Sequence, residues 1–397
     1  MRRLISGVAG IATMSLIVGC GGGGGDTPSK ITGHFRDATV VGLHFKSGAN
    51  ENETDATGSF SCIKGEKIKF SVGKVVLGEA TCDELITPIN LVANGTLETR
   101  KVINIVRFLV TLDEDGNPSN GIKIGEGTRR LAEKWVQPDL DALDLGSDAG
   151  IVKILLDLED AIPSFSGLYG ASDAKQHAEA TLRCAYAGAF KGSFSGADSG
   201  PVGTLIDPAD GHMEIIGYST KAGEDGMDGS FSGSGTLGFS LDGDRKVSGS
   251  TSMGSVFNGE ITDSNHISGT WKWESEKGSF SGARVGGSTN AQYRLVGHYI
   301  GSGGAKGLYS FDIDNNNKVT GIAYNPDDGE EHTIEGVEQS ITGTVDGMHL
   351  NATTSGGMTI QAIYDKETGI LTDGVWSGTW KGNSISGTFT ASGCRLN

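Results

Sequence analysis

Proline is scarce in this chain, eight among 397 residues, and only Pro201, Pro208 and Pro326 lie beyond residue 185. A long proline-poor stretch excludes a polyproline or proline-rich linker there. Basic residues are also in deficit, 32 against 49 acids, for a formal charge of −17. A body this acidic repels nucleic acid and anionic headgroups. Signatures of chemistry are missing too. There is no G-x-S-x-G nucleophile elbow, because Gly-Ser-Phe-Ser-Gly at 192–196, 229–233 and 278–282 puts Phe where Ser is needed. The eight histidines form neither H-E-x-x-H nor an i,i+4 pair, no CxxC occurs, and no glycine-rich loop carries a phosphate-binding lysine. The sequence therefore reads as non-enzymatic.

What is present begins at the start of the chain. Arg2 and Arg3 precede an apolar run from Leu4 to Val18, too short to span a bilayer and placed as an export signal, so residues 1–19 read as a signal peptide. Leu16-Ile17-Val18-Gly19-Cys20 resembles the lipobox of bacterial lipoproteins. That resemblance implies diacylglycerol on the Cys20 thiol and a mature chain starting there. Gly21 to Gly25 then supply a flexible leash within a linker over 20–30. Gly21 after the cysteine resembles the outer-membrane sorting pattern, which implies a lipid-anchored envelope protein facing the periplasm or the cell surface.

The other four cysteines, Cys62, Cys82, Cys184 and Cys394, suit two disulfides in an oxidising compartment. Three pairings are possible. The favoured one joins Cys62 to Cys82 within a small domain and Cys184 to Cys394 across the glycine-rich region.

Residues 31–97 read as a β-sandwich, with strands over Val40–Phe45 and Lys67–Val72. Thr54, Asp55, Gly58 and Phe60 lie between them and resemble the T-D-x-x-G-x-F turn of carboxypeptidase-regulatory-like and transthyretin-like sandwiches. The resemblance implies that Asp and Gly form the turn, that Phe60 enters the core, and that the domain is a non-catalytic spacer. Residues 98–185 turn helical: Val102, Ile105, Val106, Leu109 and Val110 recur at helical spacing, as do Ile151, Leu155, Leu156 and Leu158. Ser172 is the expected N-cap of a last helix reaching about Cys184 and carrying His177 at a packing or surface position.

Forty of the 64 glycines fall in residues 186–397, where a repeat is visible. Gly188, Phe190 and Gly192 recur as Gly297, Tyr299 and Gly301; Ser268-Gly269-Thr270-Trp271 recurs as 377–380; Phe280 recurs as Phe389, each 109 residues on. Two copies of one fold are implied, over 186–287 and 293–397, each an antiparallel eight-stranded meander barrel that leaves no free edge. In architecture this resembles the C-terminal barrels of transferrin-binding-type surface lipoproteins. The overall fold class is mainly β with a helical insert.

Two acidic turns are candidate calcium sites. Asp113, Asp115 and Asn117 alternate oxygen ligands after a helix, and Asp312, Asp314 and Asn316 share the spacing. Both also read as structural turns, the favoured reading, with Asn316-Asn317 supplying positive φ in the second. Trp271 and Trp273 share one strand face, and Trp376 and Trp380 another. Facing out they would form a ligand platform; facing in, the favoured reading, they fill the barrels. Trp271 and Trp380 are expected at matching positions. The leading functional expectation is a surface-exposed binding or adhesion lipoprotein with an extracellular or envelope ligand. An envelope assembly accessory and a carrier of an apolar ligand in a barrel lumen are the alternatives.

Overall fold

The computed structural model describes residues 29–221, 229–239, 245–262, 265–286, 291–326, 337–366 and 369–396; the signal peptide, Cys20 and the glycine leash lie outside them. No helix among the described residues is long and apolar enough to cross a membrane.

Two sheets make the N-terminal sandwich. Lys30–Phe35 pairs with Ser59–Ile63 and Leu85–Ile86; His44–Ser47 lies between Asn50–Glu53 and Lys67–Val72, and Val75–Thr81 closes that sheet. Phe35, Phe60 and Phe70 meet between them with ring centroids about 5 Å apart. The turn into Phe60 forms as its residue types dictate. Asp55 Oδ1 accepts from the Thr57 and Ser59 amides, Gly58 takes φ 71°, and Phe60 is buried. Cys62–Cys82 ties the two sheets together.

The expected strand over Val40–Phe45 is broken. Gly42 adopts φ 79° with Ile124 O and the Arg129 guanidinium packed where a Cβ would stand. Val40–Val41 therefore leaves the sandwich and pairs in parallel with Ile122–Lys123 of the helical segment. Four helices follow: α1 (Arg100–Thr111), α2 (Glu126–Ala132), α3 (Ala149–Ala161) and α4 (Ala171–Tyr186). The five apolar residues picked out on α1 are all buried, and α1 packs on α4. On α3, Leu156 points to solvent, because Ile154 takes the inner position. Gly170, not Ser172, is the N-cap of α4, so the helix starts two residues earlier than the serine signal implies.

His177 is neither a surface nor an apolar packing residue. Its Nε2 lies 3.2 Å from Oδ1 of Asp37, which is fully buried in the turn after the first strand, with neither oxygen in a well-aligned hydrogen bond. Burial opposes protonation of the imidazole, but the charge of the adjacent Asp37 carboxylate outweighs this and raises His177 above its ordinary 6.5. The Tyr169 hydroxyl feels the Asp37 charge together with that of Asp173. A raised folded-state pKa contributes stability that is complete below pH 6.5 and lost as pH rises through the raised value. The melting temperature is therefore expected to fall as pH rises above 6.5. His177→Gln should flatten that step; an unaltered step in the variant would assign it elsewhere.

Two closed barrels complete the chain, each with eight antiparallel strands in sequence order, from Gly188–Gly196 to Glu276–Val285 and from Ala291–Gly301 to Asn383–Arg395. Closure brings the first and last strands of each together. Gly192 and Gly297 sit at this seam, where a Cβ would fall 1.9 Å from Ser281 O and 1.8 Å from Thr390 O. Ala189, Leu205 and Val285 of the first barrel meet Val296 and Leu308 of the second, with a Lys191–Glu338 ion pair at the rim. Cys184–Cys394 joins the end of α4 to the last strand.

The two barrels superpose in a different register from the expected one. Trp271 pairs with Gly278 and donates Nε1–H to Ser195 O of the first strand; Trp376 pairs with Gly387 and donates to Ile300 O. Phe194 meets Trp271 edge-on, as Tyr299 meets Trp376. The counterpart of Trp271 is thus Trp376, and that of Gly192–Gly196 is Gly297–Gly301, each 105 residues on. Phe280 and Phe389 do match at 109, facing Phe194 and Tyr299. Seven positions separate Trp271 from Gly278 but eleven separate Trp376 from Gly387, so the last hairpin of the second barrel is four residues longer. Trp380 belongs to that extension and has no counterpart.

Candidate functional site

Alternation along the strands sends one set of side chains inward, and the two ends of each barrel treat that set differently. At the end next to the N-terminal body, the second barrel is filled by Tyr293, Ile313, Val319, Val345, Leu350 and Tyr364. The corresponding end of the first barrel is filled by Ile206, Met213, Leu237, Val247 and Ile261, in one core with the helices. Towards the opposite end, the turns joining strands one to two, five to six and seven to eight surround an open lumen in each barrel.

The second lumen encloses about 610 Å³. Its wall carries Tyr299, Tyr309, Phe311, Ile360, Trp376 and Phe389. The rings hold one another in place: Tyr309 stacks on Phe311 at 5.3 Å and meets Phe389 edge-on at 5.4 Å, while Tyr299 meets Trp376 at 5.9 Å. Tyr309 also donates to Thr390 O. Burial pushes the Tyr299 hydroxyl up to about 12 and Tyr309 well above its ordinary range, so both stay neutral. Among the described residues the only charged groups on this lumen are Lys306 and Lys381 at its rim. Two glycines make room for the central indole. A Cβ on Gly387 would lie 2.7 Å from Trp376 Nε1, and one on Gly301 would lie 2.3 Å from its Cζ2.

The first lumen is smaller, about 260 Å³, because Phe194, Phe231, Phe257 and Phe280 crowd in beside Trp271. Phe194, Phe231 and Phe280 are the central residues of the three Gly-Ser-Phe-Ser-Gly segments. Asp198, Lys221 and Glu276 give its rim mixed charge.

The four tryptophans all line lumens, as the inward reading expects, but they do not fill them. Trp376 is 8% exposed, whereas Trp273 and Trp380 stand at the two mouths, 41% and 39% exposed. Sequence reasoning missed Tyr299, Tyr309 and Phe389 as lumen residues. The alternation of Tyr309 and Phe311 along one strand was the available signal.

The acidic turns lie elsewhere. Asp312 is fully buried on the outer face of its strand and receives Arg294 Nε at 3.0 Å and Nη2 at 3.3 Å, so it is committed to an ion pair. Asp314 Oδ1 caps the turn through the Asn316 and Lys318 amides, with Asn317 at φ 61°. Asp314 and Asn316 thus belong to a structural turn, and Asp312 to the strand before it. Asp113, Asp115 and Asn117 stay together in one loop after α1. Among the described residues no three His, Cys, Asp or Glu side chains gather as metal ligands.

No family model matches the chain, and no curated protein matches it. Among solved structures, it is similar to a single-site mutant of the vaccine antigen Transferrin Binding Protein B from Haemophilus parasuis Hp5, at 8% identity and TM-score 0.20, covering 50% of this chain and 66% of that one. It is also similar to intact Ap-TbpB with its N and C lobes, at 8% identity and TM-score 0.20, covering 49% and 66%. The chain thus spans just under two thirds of either structure.

Proposed function

We propose that this chain is a non-enzymatic lipoprotein of the bacterial outer membrane, anchored through Cys20, that binds its ligand by taking an apolar, ring-bearing group into the open mouth of the second barrel. The observation that carries the reading is the lumen of about 610 Å³, walled by mutually braced aromatic rings and free of buried charge among the described residues. A pocket of this size is within the range that buries a small-molecule ligand, and its preset rings lower the ordering cost of binding. Trp380, half-exposed on the extended hairpin, stands where an entering ring would first make contact. The lipobox and glycine leash support the anchor, and the net charge of −17 argues against nucleic acid as partner.

One experiment tests both halves, with N-phenyl-1-naphthylamine as the probe on membrane-bound and purified protein. Cys20→Ala should move the protein out of the membrane fraction while leaving probe binding intact. Ala323→Trp, which places an indole into the lumen without deleting a wall residue, should weaken probe binding at least about tenfold and leave melting nearly unchanged. Full membrane retention of processed Cys20→Ala overturns the anchor; unchanged probe affinity in Ala323→Trp overturns the lumen.

A further inference from the structure

The loop after α1 gathers the carboxylates of Asp113, Glu114 and Asp115. The helix ends at Thr111, so the negative end of its dipole faces Asp113 and Asp115 directly. Asp113 is only 2% exposed. Its Oδ1 accepts the Lys123 amide at 2.8 Å, while Oδ2 is buried and has no hydrogen-bond partner. The Lys123 ammonium is 2.7 Å from Glu114, and both side chains of that pair are exposed. Asp115 takes the Asn117 amide and the Asn120 side chain, both at 2.9 Å, which fixes its carboxylate beside Asp113. A helix C-terminus, two adjacent carboxylates and one buried oxygen without a hydrogen-bond donor together favour a positive charge.

We propose that this loop binds a calcium ion through Asp113 Oδ2 and the Asp115 carboxylate. The donor set is oxygen only, which favours a hard cation over zinc or copper. Two carboxylates in a loop open to solvent on one side suit the irregular, part-hydrated coordination of calcium better than the strict octahedron of magnesium. So few charged ligands imply a dissociation constant on the order of 0.1–1 mM, the range of extracellular calcium modules. Bound there, the ion would lock the turn that joins α1 to the Ile122–Lys123 strand and, through it, to Val40–Val41 of the sandwich.

The test is thermal unfolding of the whole mature protein at pH 7.5, in EDTA and in 10 mM calcium chloride. Calcium should raise the melting temperature by about 2–4 °C. Asp113→Asn should melt higher than the parent in EDTA, having lost a buried charge, and should show no calcium shift. Asp115→Asn, at an exposed position, should fold as the parent does and also lose the shift, whereas Asp314→Asn in the second barrel should keep it. No shift in the parent, a shift retained in Asp113→Asn or Asp115→Asn, or an equal shift with magnesium chloride would overturn the site.

Discussion

Replacing both Cys184 and Cys394 by serine is expected to cost about 5 kcal/mol of stability, the largest loss from any small change to this chain. The bond closes a loop of 210 positions, and in the chain-entropy treatment the constraint on the unfolded chain grows with the logarithm of that length. Cys62–Cys82 closes only 20 positions, which sets its contribution nearer about 3 kcal/mol. The native contacts near the long bridge are spread along the last residues. Leu396 O accepts from Arg36 Nη1 at 2.7 Å and from Thr39 Oγ1 at 2.6 Å, and Leu396 N donates to Gln292 O. These hydrogen bonds hold the end of the last strand against the sandwich only while the strand is in place. Denaturant unfolding followed by tryptophan fluorescence should show the loss for the double serine variant, with a smaller loss for Cys62→Ser/Cys82→Ser. A cost below about 1 kcal/mol for the long bridge would mean that the hydrogen bonds, not the covalent closure, fix the end of the chain.

Truncating Trp376 to Ala should cost about 3–5 kcal/mol, while Trp380→Ala should cost less than about 1 kcal/mol. The two residues lie four apart on one strand and face the same lumen, but they are built in differently. Trp376 is almost fully buried, lies across Gly387 of the last strand, and bonds through Nε1 to Ile300 O of the first. It thereby links three strands around the closure seam, and its removal opens a cavity and leaves a carbonyl unpaired. Trp380 sits at the mouth on the hairpin extension and carries little packing. Its variant should instead weaken probe binding with the fold intact. Chemical denaturation of each variant, paired with a probe titration, separates the two roles; equal stability losses would contradict the distinction between wall and mouth.

Much of the architecture was legible because it is local. Gly-aromatic-Gly segments and their recurrence announced two barrels, and the Asp55, Gly58 and Phe60 turn announced the sandwich. Register was not legible. Ser-Gly-Thr-Trp at 377–380 matches 268–271 letter for letter, yet the structural partner of that segment is Asp373-Gly374-Val375-Trp376. A hairpin longer by four residues keeps every side chain on its face, since four is even, so the alternation gave no warning. The glycine opposite each indole, Gly278 and Gly387, was the better marker, because only a residue without a Cβ lets the ring lie across the neighbouring strand. The break at Gly42 and the Asp37–His177 pair were invisible for another reason: both depend on residues more than 80 positions away. The open mouths depend on how far aromatic side chains reach across each barrel, which no linear pattern encodes.

The central claim is that the second lumen is where the ligand goes, and the most direct measurement is a crystal structure of the mature chain soaked with N-phenyl-1-naphthylamine. One naphthyl ring is expected inside the second barrel, against Tyr309, Trp376 and Phe389, with Trp380 closing over it. A probe bound to the outer wall, or a lumen closed by its own side chains with no probe inside, would contradict it.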